Sequence, residues 1–233
     1  MHWFHLSVVA FLLNAGPGYL FATSETHVSS VMAGLLNATT PLMTVVVIAF
    51  GFREQKINRD QMIGVIIGFL GIAVLTGALT GLHGNDGKAI AGLLLATFLY
   101  GVSAPYSKRF VAELSYSSTA LATGQVLSAA VLLAPFALLG GITQAPWTAK
   151  SVWGMLALGA VGTGFAYIWH FRNVRLAGSA IASTVTYITP VVATVLGIWL
   201  LGEPFKISQL VGGALVLLSA ALVQKKITLS RGH

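Results

Sequence analysis

Eight apolar stretches follow one another along the chain, at Phe4–Ala22, Ser30–Phe50, Met62–Leu82, Ile90–Tyr106, Thr119–Leu139, Val152–Phe171, Ala180–Leu201 and Ile207–Gln224. At about 1.5 Å of rise per residue, each is long enough to cross or nearly cross a hydrocarbon core of about 30 Å. No water there satisfies the backbone, so each stretch must close its hydrogen bonds within itself as a helix. The connections between them are too short to hold a second domain. The expected fold is an all-α integral membrane bundle of about eight transmembrane helices. Charged residues make up only 8% of the chain and hydrophobic ones 56%, against about 25% charged in a soluble domain. The first stretch lacks the Lys/Arg start and small-x-small cleavage site of a signal peptide, so it reads as a membrane helix.

The segment from Gly178 to Gln224 echoes one that lies 149 positions earlier. With Pro190 set on Pro41, and no gap, Ser179 falls on Ser30, Ala182 on Ala33, Thr189 on Thr40, Glu203 on Glu54 and Gly213 on Gly64. Each copy is an apolar helix with a central Thr-Pro, a Glu at its far end and a Gly-bearing second helix. Internal symmetry of this kind defines an architecture.

Lys and Arg placement selects the cytoplasmic side. Loops of one parity and the C-terminal tail hold Arg53, Lys56, Arg59, Lys108, Arg109, Arg172, Arg175, Lys225, Lys226 and Arg231. The opposite loops hold only Lys88, Lys150 and Lys206. This bias predicts a multi-pass protein of the inner (cytoplasmic) membrane with both termini in the cytoplasm. It also places the loop after Glu54 and the loop after Glu203 on opposite sides, so the two copies are inverted relative to each other. The basic residues are scattered through short loops and form no continuous face, which argues against nucleic acid.

The same shift carries residue 1 onto Lys150, leaving the two helices between Ile90 and Leu139 without counterparts. The expected organisation is an incomplete first repeat of three helices at 1–82, a second repeat of five at 88–226 and a tail at 227–233, three plus five of an expected five plus five. On that reading roughly 60 residues, two helices and their loops at membrane-spanning length, are missing before Met1. The alternative is an eight-helix protein whose first half has been lost or is supplied by a partner chain.

Gly162–Glu203, GTGFAYIWHFRNVRLAGSAIASTVTYITPVVATVLGIWLLGE, resembles the signature of the EamA-type drug/metabolite transporter superfamily, and Thr40-Pro41 to Gly64 resembles its divergent first copy. The resemblance implies two inverted five-helix repeats and export of amino acids, other metabolites or drugs, often in exchange for protons. It implies partners in a small-molecule solute and the lipid bilayer, and no cofactor. It does not name a substrate.

The residues themselves suggest where a solute would sit. Pro41 and Pro190, expected hinges, each free the carbonyl four residues back, at Asn37 and Thr186. Thr40 and Thr189 add hydroxyls, so each break offers donors and acceptors where lipid offers none. The alternative is a structural kink whose Thr side chains merely restore backbone bonding. Asn14 and Gln125 need polar partners inside the bundle. Tyr19, Tyr100, Tyr167 and Tyr187 form a candidate stacking wall, the alternative for each being packing or an interfacial belt. The candidate substrate-binding set is thus Asn14, Tyr19, Asn37, Thr40, Tyr100, Gln125, Tyr167, Thr186, Tyr187 and Thr189.

Candidate gate or coupling groups are Glu54, His170 and Glu203. His170 titrates near neutrality but lies two residues from Arg172, and the two glutamates end helices, where capping or loop ion-pairing competes with gating. Gly64 with Gly68, and Gly77 with Gly81, have small-xxx-small spacing, which serves intramolecular packing or a homodimer face. No nucleophile elbow, zinc-protease motif, P-loop or paired membrane carboxylate is present, which argues against an enzyme, and no metal site is expected. The function read from the sequence is a secondary transporter exporting a small metabolite, amino acid or drug-like solute by alternating access. Against it stand a non-transporting or channel-like membrane protein and an inactive fragment that needs a partner.

Overall fold

The computed structural model describes residues 2–52, 58–78, 86–111, 114, 116–139, 148–169, 172 and 185–224. Its elements are α1 (His2–Ala10), a π-helical turn (Phe11–Ala15), α2 (Gly16–Ser24), α3 (Ser30–Asn37), α4 (Thr40–Val47), a second π-helical turn (Ile48–Phe52), α5 (Arg59–Thr76), α6 (Gly87–Phe110), α7 (Ser118–Leu139), α8 (Ala149–Ala157), a third π-helical segment (Leu158–Phe165), α9 (Val185–Leu201) and α10 (Ile207–Val223). The described residues contain no strand. Six spans are long and apolar enough to cross a membrane: Trp3–Ser24, Ser30–Val47, Arg59–Thr76, Gly87–Ser107, Ser118–Leu139 and Ala149–Trp169. Two shorter apolar helices, Ile188–Leu201 and Ile207–Val223, complete the expected order. Much of the outward surface is large and apolar, as lipid requires.

The chain divides into two compact units, Met1–Ala15 with Tyr106–Ser183 and Gly16–Pro105 with Thr184–His233. In the first, Leu6, Val9, Val111 and Leu121 form the core. Gly124 lets α7 approach α1, since a Cβ there would stand 3.0 Å from Leu6 Cδ1. Sequence spacing alone does not reveal the π-helical turns, because one inserted residue leaves an apolar run apolar.

In the second unit Val31, Leu35, Leu36, Leu42, Leu75, Leu93 and Val216 form the core. Here α5 and α10 lie against each other with opposite sense: Gly64 meets Leu222 and Val223, Gly68 meets Ser219, Gly71 meets Leu215, and Gly212 meets Leu75. These are the helices that carry Gly64 and Gly213, equivalent positions in the two copies, and opposite sense is what inverted copies require. The Gly64/Gly68 pair therefore serves close packing within the chain. Gly77 does something else. It ends α5 at φ 71° and closes the helix from its own N–H, a left-handed cap that favours glycine.

Crossings alternate in this unit. Ser29 and Ser30 meet Gln209 and Glu203 at one end. At the other end the Gln61 amide donates to the Val223 carbonyl at 3.1 Å, satisfying the C-terminus of α10.

Candidate functional site

The Thr-Pro of the first copy breaks its helix, and α3 stops at Asn37 while α4 starts at Thr40. Proline has no N–H to offer Asn37 and crowds its carbonyl. The Thr40 hydroxyl donates to the Asn37 carbonyl at 2.8 Å, Thr39 donates to Leu36 O at 2.7 Å, and Thr44 donates to Thr40 O at 2.9 Å. At this break the threonines restore the backbone bonding that the proline removes. The carbonyl expected to be free at Asn37 is taken, and what Asn37 adds to the site is its side chain. Pro190 is buried within α9, which runs through it as one helix. The two copies thus solve the same Thr-Pro differently.

Beside the two Thr-Pro steps lies a cavity of about 310 Å³. Asn37, at the end of α3, and Thr189, one residue before Pro190, both line it, so each copy contributes a polar side chain. Tyr100 of α6 adds an aromatic wall and stacks with Phe21, with ring centroids 6.2 Å apart and planes 29° apart. Gly34 and Ala193 form the apolar side where α3 and α9 touch, and a Cβ on Gly34 would overlap that of Ala193. Ser30 and Glu25 line the end of the cavity nearest the loops.

At that end Glu203 has a defined task. Gly202 takes φ 66° and turns the chain so that the Glu203 N–H donates to the Gly197 carbonyl at 3.0 Å. The carboxylate then accepts the Ser30 and Val31 N–H groups at 2.8 and 2.9 Å. Ser29 Oγ takes the Met32 N–H at 3.2 Å, and Ser29 O takes that of Ala33 at 3.0 Å, so the amides from Ser30 to Ala33 in the first turn of α3 all have acceptors. A negative group at this terminus also complements the helix dipole. Gly197 keeps the path open, since a Cβ there would stand 3.0 Å from Glu203 Oε2. The Leu-Gly-Glu end of the copy is thus a turn, a carboxylate and a place for it to land.

Of the candidate substrate-binding residues, Asn37, Tyr100 and Thr189 come together at this cavity. Tyr19 does not join them. It is 65% exposed, because Phe21, which does line the cavity, lies two residues on and therefore about 200° around the same helix. The expected wall of four tyrosines is replaced here by Tyr100 with Phe21. Asn14, Gln125 and Tyr167 belong to the other unit, where the Gln125 amide donates to Asn14 Oδ1 at 2.7 Å and the Tyr167 hydroxyl donates to the Leu13 carbonyl at 3.1 Å. Those partners are what membrane burial demands of amides and phenols. Thr40 bonds to Asn37 and does not line the cavity. Glu54 and His170 lie outside the described residues, as do the side chains of Thr186 and Tyr187.

Sequence reasoning passed over Glu25. One of only six acidic residues in the chain, it reads as an ordinary loop acid until the fold brings it to the cavity. The residue is exposed at the mouth of the cavity, yet desolvation of its carboxyl by the surrounding protein pushes it above the ordinary 4.5, and the Glu203 charge adds to the rise. The scarcity of acids was the available signal.

The sequence matches the EamA-like transporter family over residues 1–77 and 87–224. A protein of Archaeoglobus fulgidus named as an uncharacterized transporter is 25% identical over 96% of this chain and 75% of its own length. The inner membrane transporter YedA of Escherichia coli, also named as uncharacterized, is 30% identical over 88% of this chain and 65% of its own. A protein of Streptantibioticus cattleyicolor, named as a probable terminal-alkyne amino-acid exporter, is 28% identical over 89% of this chain and 68% of its own. The chain thus spans 65% to 75% of the length of these relatives. A solved crystal structure superposes with a TM-score of 0.60 at 21% identity, covering 93% of this chain and 74% of that one, which shows a shared fold. The family and the names of the relatives point to transport and away from catalysis.

Proposed function

Because this chain belongs to the EamA-like transporter family, we propose that it is a secondary transporter exporting a small polar or amphipathic solute by alternating access, with the Asn37/Thr189 cavity as its solute site. The observation that carries this reading is the convergence of one polar side chain from each repeat on a single cavity, next to both Thr-Pro steps. Transporters built on inverted repeats bind their substrates at such places, where broken helices interrupt the apolar wall. A volume of about 310 Å³ suits a small molecule, being near the lower end of the about 300–1,000 Å³ common for ligand pockets.

Pro41 and Pro190 are the flexure points. Both termini are cytoplasmic, following the bias of Lys and Arg. Protons are the coupling ion, and a titratable carboxylate at the cavity supplies a place for one. Export as the direction draws support from the name of the Streptantibioticus relative.

The test is a ligand screen by thermal shift on the whole chain in lipid nanodiscs, since a bound solute stabilises the fold by mass action. Every hit should be lost or strongly weakened in Asn37→Leu and in Thr189→Val, and solute counterflow in vesicles should fall with it. Full binding and flux in both variants would sink the assignment of this cavity. Pro190→Ala should insert normally and transport slowly; undiminished flux would remove the hinge.

A further inference from the structure

The charge of the cavity restricts what it takes, and this inference rests on the reading of the cavity as the solute site. Among the described residues it is lined by one carboxylate, Glu25, and by no Lys, Arg or His. No described residue forms a hydrogen bond or ion pair with the Glu25 carboxylate. Its neighbour Glu203 is in the opposite situation, held by the Ser30 and Val31 N–H groups at 2.8 and 2.9 Å. That bond matters for ligand choice. The α3 N-terminus, whose Ser30 lines the cavity, would welcome an anion, and Glu203 already fills it.

Along the described lining a carboxylate on a solute would therefore meet the Glu25 carboxylate and no cation. A protonated amine would meet a carboxylate that no described residue pairs. The stacked Phe21 and Tyr100 rings offer a face that also attracts cations, and Asn37 and Thr189 supply hydrogen-bonding groups deeper in.

We propose that the cavity selects solutes that carry a protonated amine or other organic cation and lack a carboxylate, with Glu25 as counter-ion. Amines are thus preferred to the zwitterionic amino acids built on the same skeleton. The elevation of the Glu25 carboxyl by desolvation and by Glu203 accords with a carboxylate that has no cation beside it among the described residues.

Four probes with one ring system test this on the whole chain in nanodiscs: phenethylamine, phenylalanine, 3-phenylpropanoate and phenethyl alcohol, each titrated by calorimetry. The amine should bind about tenfold or more tighter than the zwitterion and the anion, the range of a hydrogen bond to a charged group. In Glu25→Gln the ratio of amine to alcohol affinity should fall about tenfold. Equal binding of amine and zwitterion, an unchanged ratio in Glu25→Gln, or no binding of any probe overturns the proposal. Asn37→Leu, which removes a polar lining group, separates the two readings. If the charge preference fails while Asn37→Leu, with an unchanged unfolding transition, still abolishes binding, the solute site stands and the cation rule falls. If Asn37→Leu leaves binding intact, both fall.

Discussion

The carboxylate of Glu203 receives the backbone N–H of Ser30 at 2.8 Å, from a helix that starts 173 positions earlier in the chain. With the second bond, to Val31, it ties the loop between α9 and α10 to the first turn of α3, at the end of the cavity where Glu25 and Ser30 lie. Removing it leaves two amide donors at a half-buried helix end without their acceptors. Glu203→Ala should therefore lower unfolding stability in detergent by about 1–3 kcal/mol, and Glu203→Gln, which keeps one good acceptor, by less. Equal stability of all three proteins would show that water replaces the cap at no cost.

Gly34 is the point where α3 touches α9, and the atom in the way of any larger side chain is the Ala193 Cβ. Gly34→Ala should cost about 1–3 kcal/mol through overpacking. Because the obstacle is one methyl group, Ala193→Gly in the same chain should recover most of the loss. A double-mutant cycle on thermal unfolding reads the coupling. Additive losses would place the strain elsewhere.

The bilayer made the helices legible. A run such as Ser118–Leu139 has no alternative to helix, so its limits in the structure differ by one residue from those read off the sequence. The break before Pro41 was equally plain, because proline's missing N–H is a local fact. Cavity membership was legible only in part. Asn37 and Thr189 announced themselves as polar groups beside a break, but Tyr19 and Phe21 differ only in which side of one helix they occupy, and an all-apolar helix gives no periodicity to decide that. Glu25 and the capping role of Glu203 were hidden for another reason. Their meaning lies in partners far along the chain, and a lone sequence carries no record of those contacts.

Binding of amines should depend on pH with a defined sign. The Glu25 carboxyl titrates above its ordinary 4.5, and only its ionised form is a counter-ion. Amine affinity is therefore full above that raised value and fades as pH falls through it. The charged group that acts on Glu25 is Glu203; His27 on the same turn and Lys88 act instead on Asp86, whose carboxyl is held low chiefly by the Lys88 and Ala89 N–H groups. Calorimetric titration of phenethylamine across the acid range should show this loss in the native chain and a flat profile in Glu25→Gln. A profile that keeps its slope in the variant would assign the titration to another group.

Gln125 is fully buried on α7, its amide donates to Asn14 Oδ1 at 2.7 Å, and its own Oε1 has no partner among the described residues. Asn14 sits in the π-helical turn Phe11–Ala15, where Tyr167 takes the Leu13 carbonyl. Gln125→Leu strands the Asn14 amide among apolar side chains. It should cost about 1 kcal/mol, the scale of polar contacts between membrane helices. Adding Asn14→Leu removes the stranded group, so the double variant should be more stable than Gln125→Leu alone. That order, measured by unfolding in detergent, follows from a pair whose members exist for each other. If the double variant instead loses the sum of the two single losses, each amide has a separate partner and the pair is incidental.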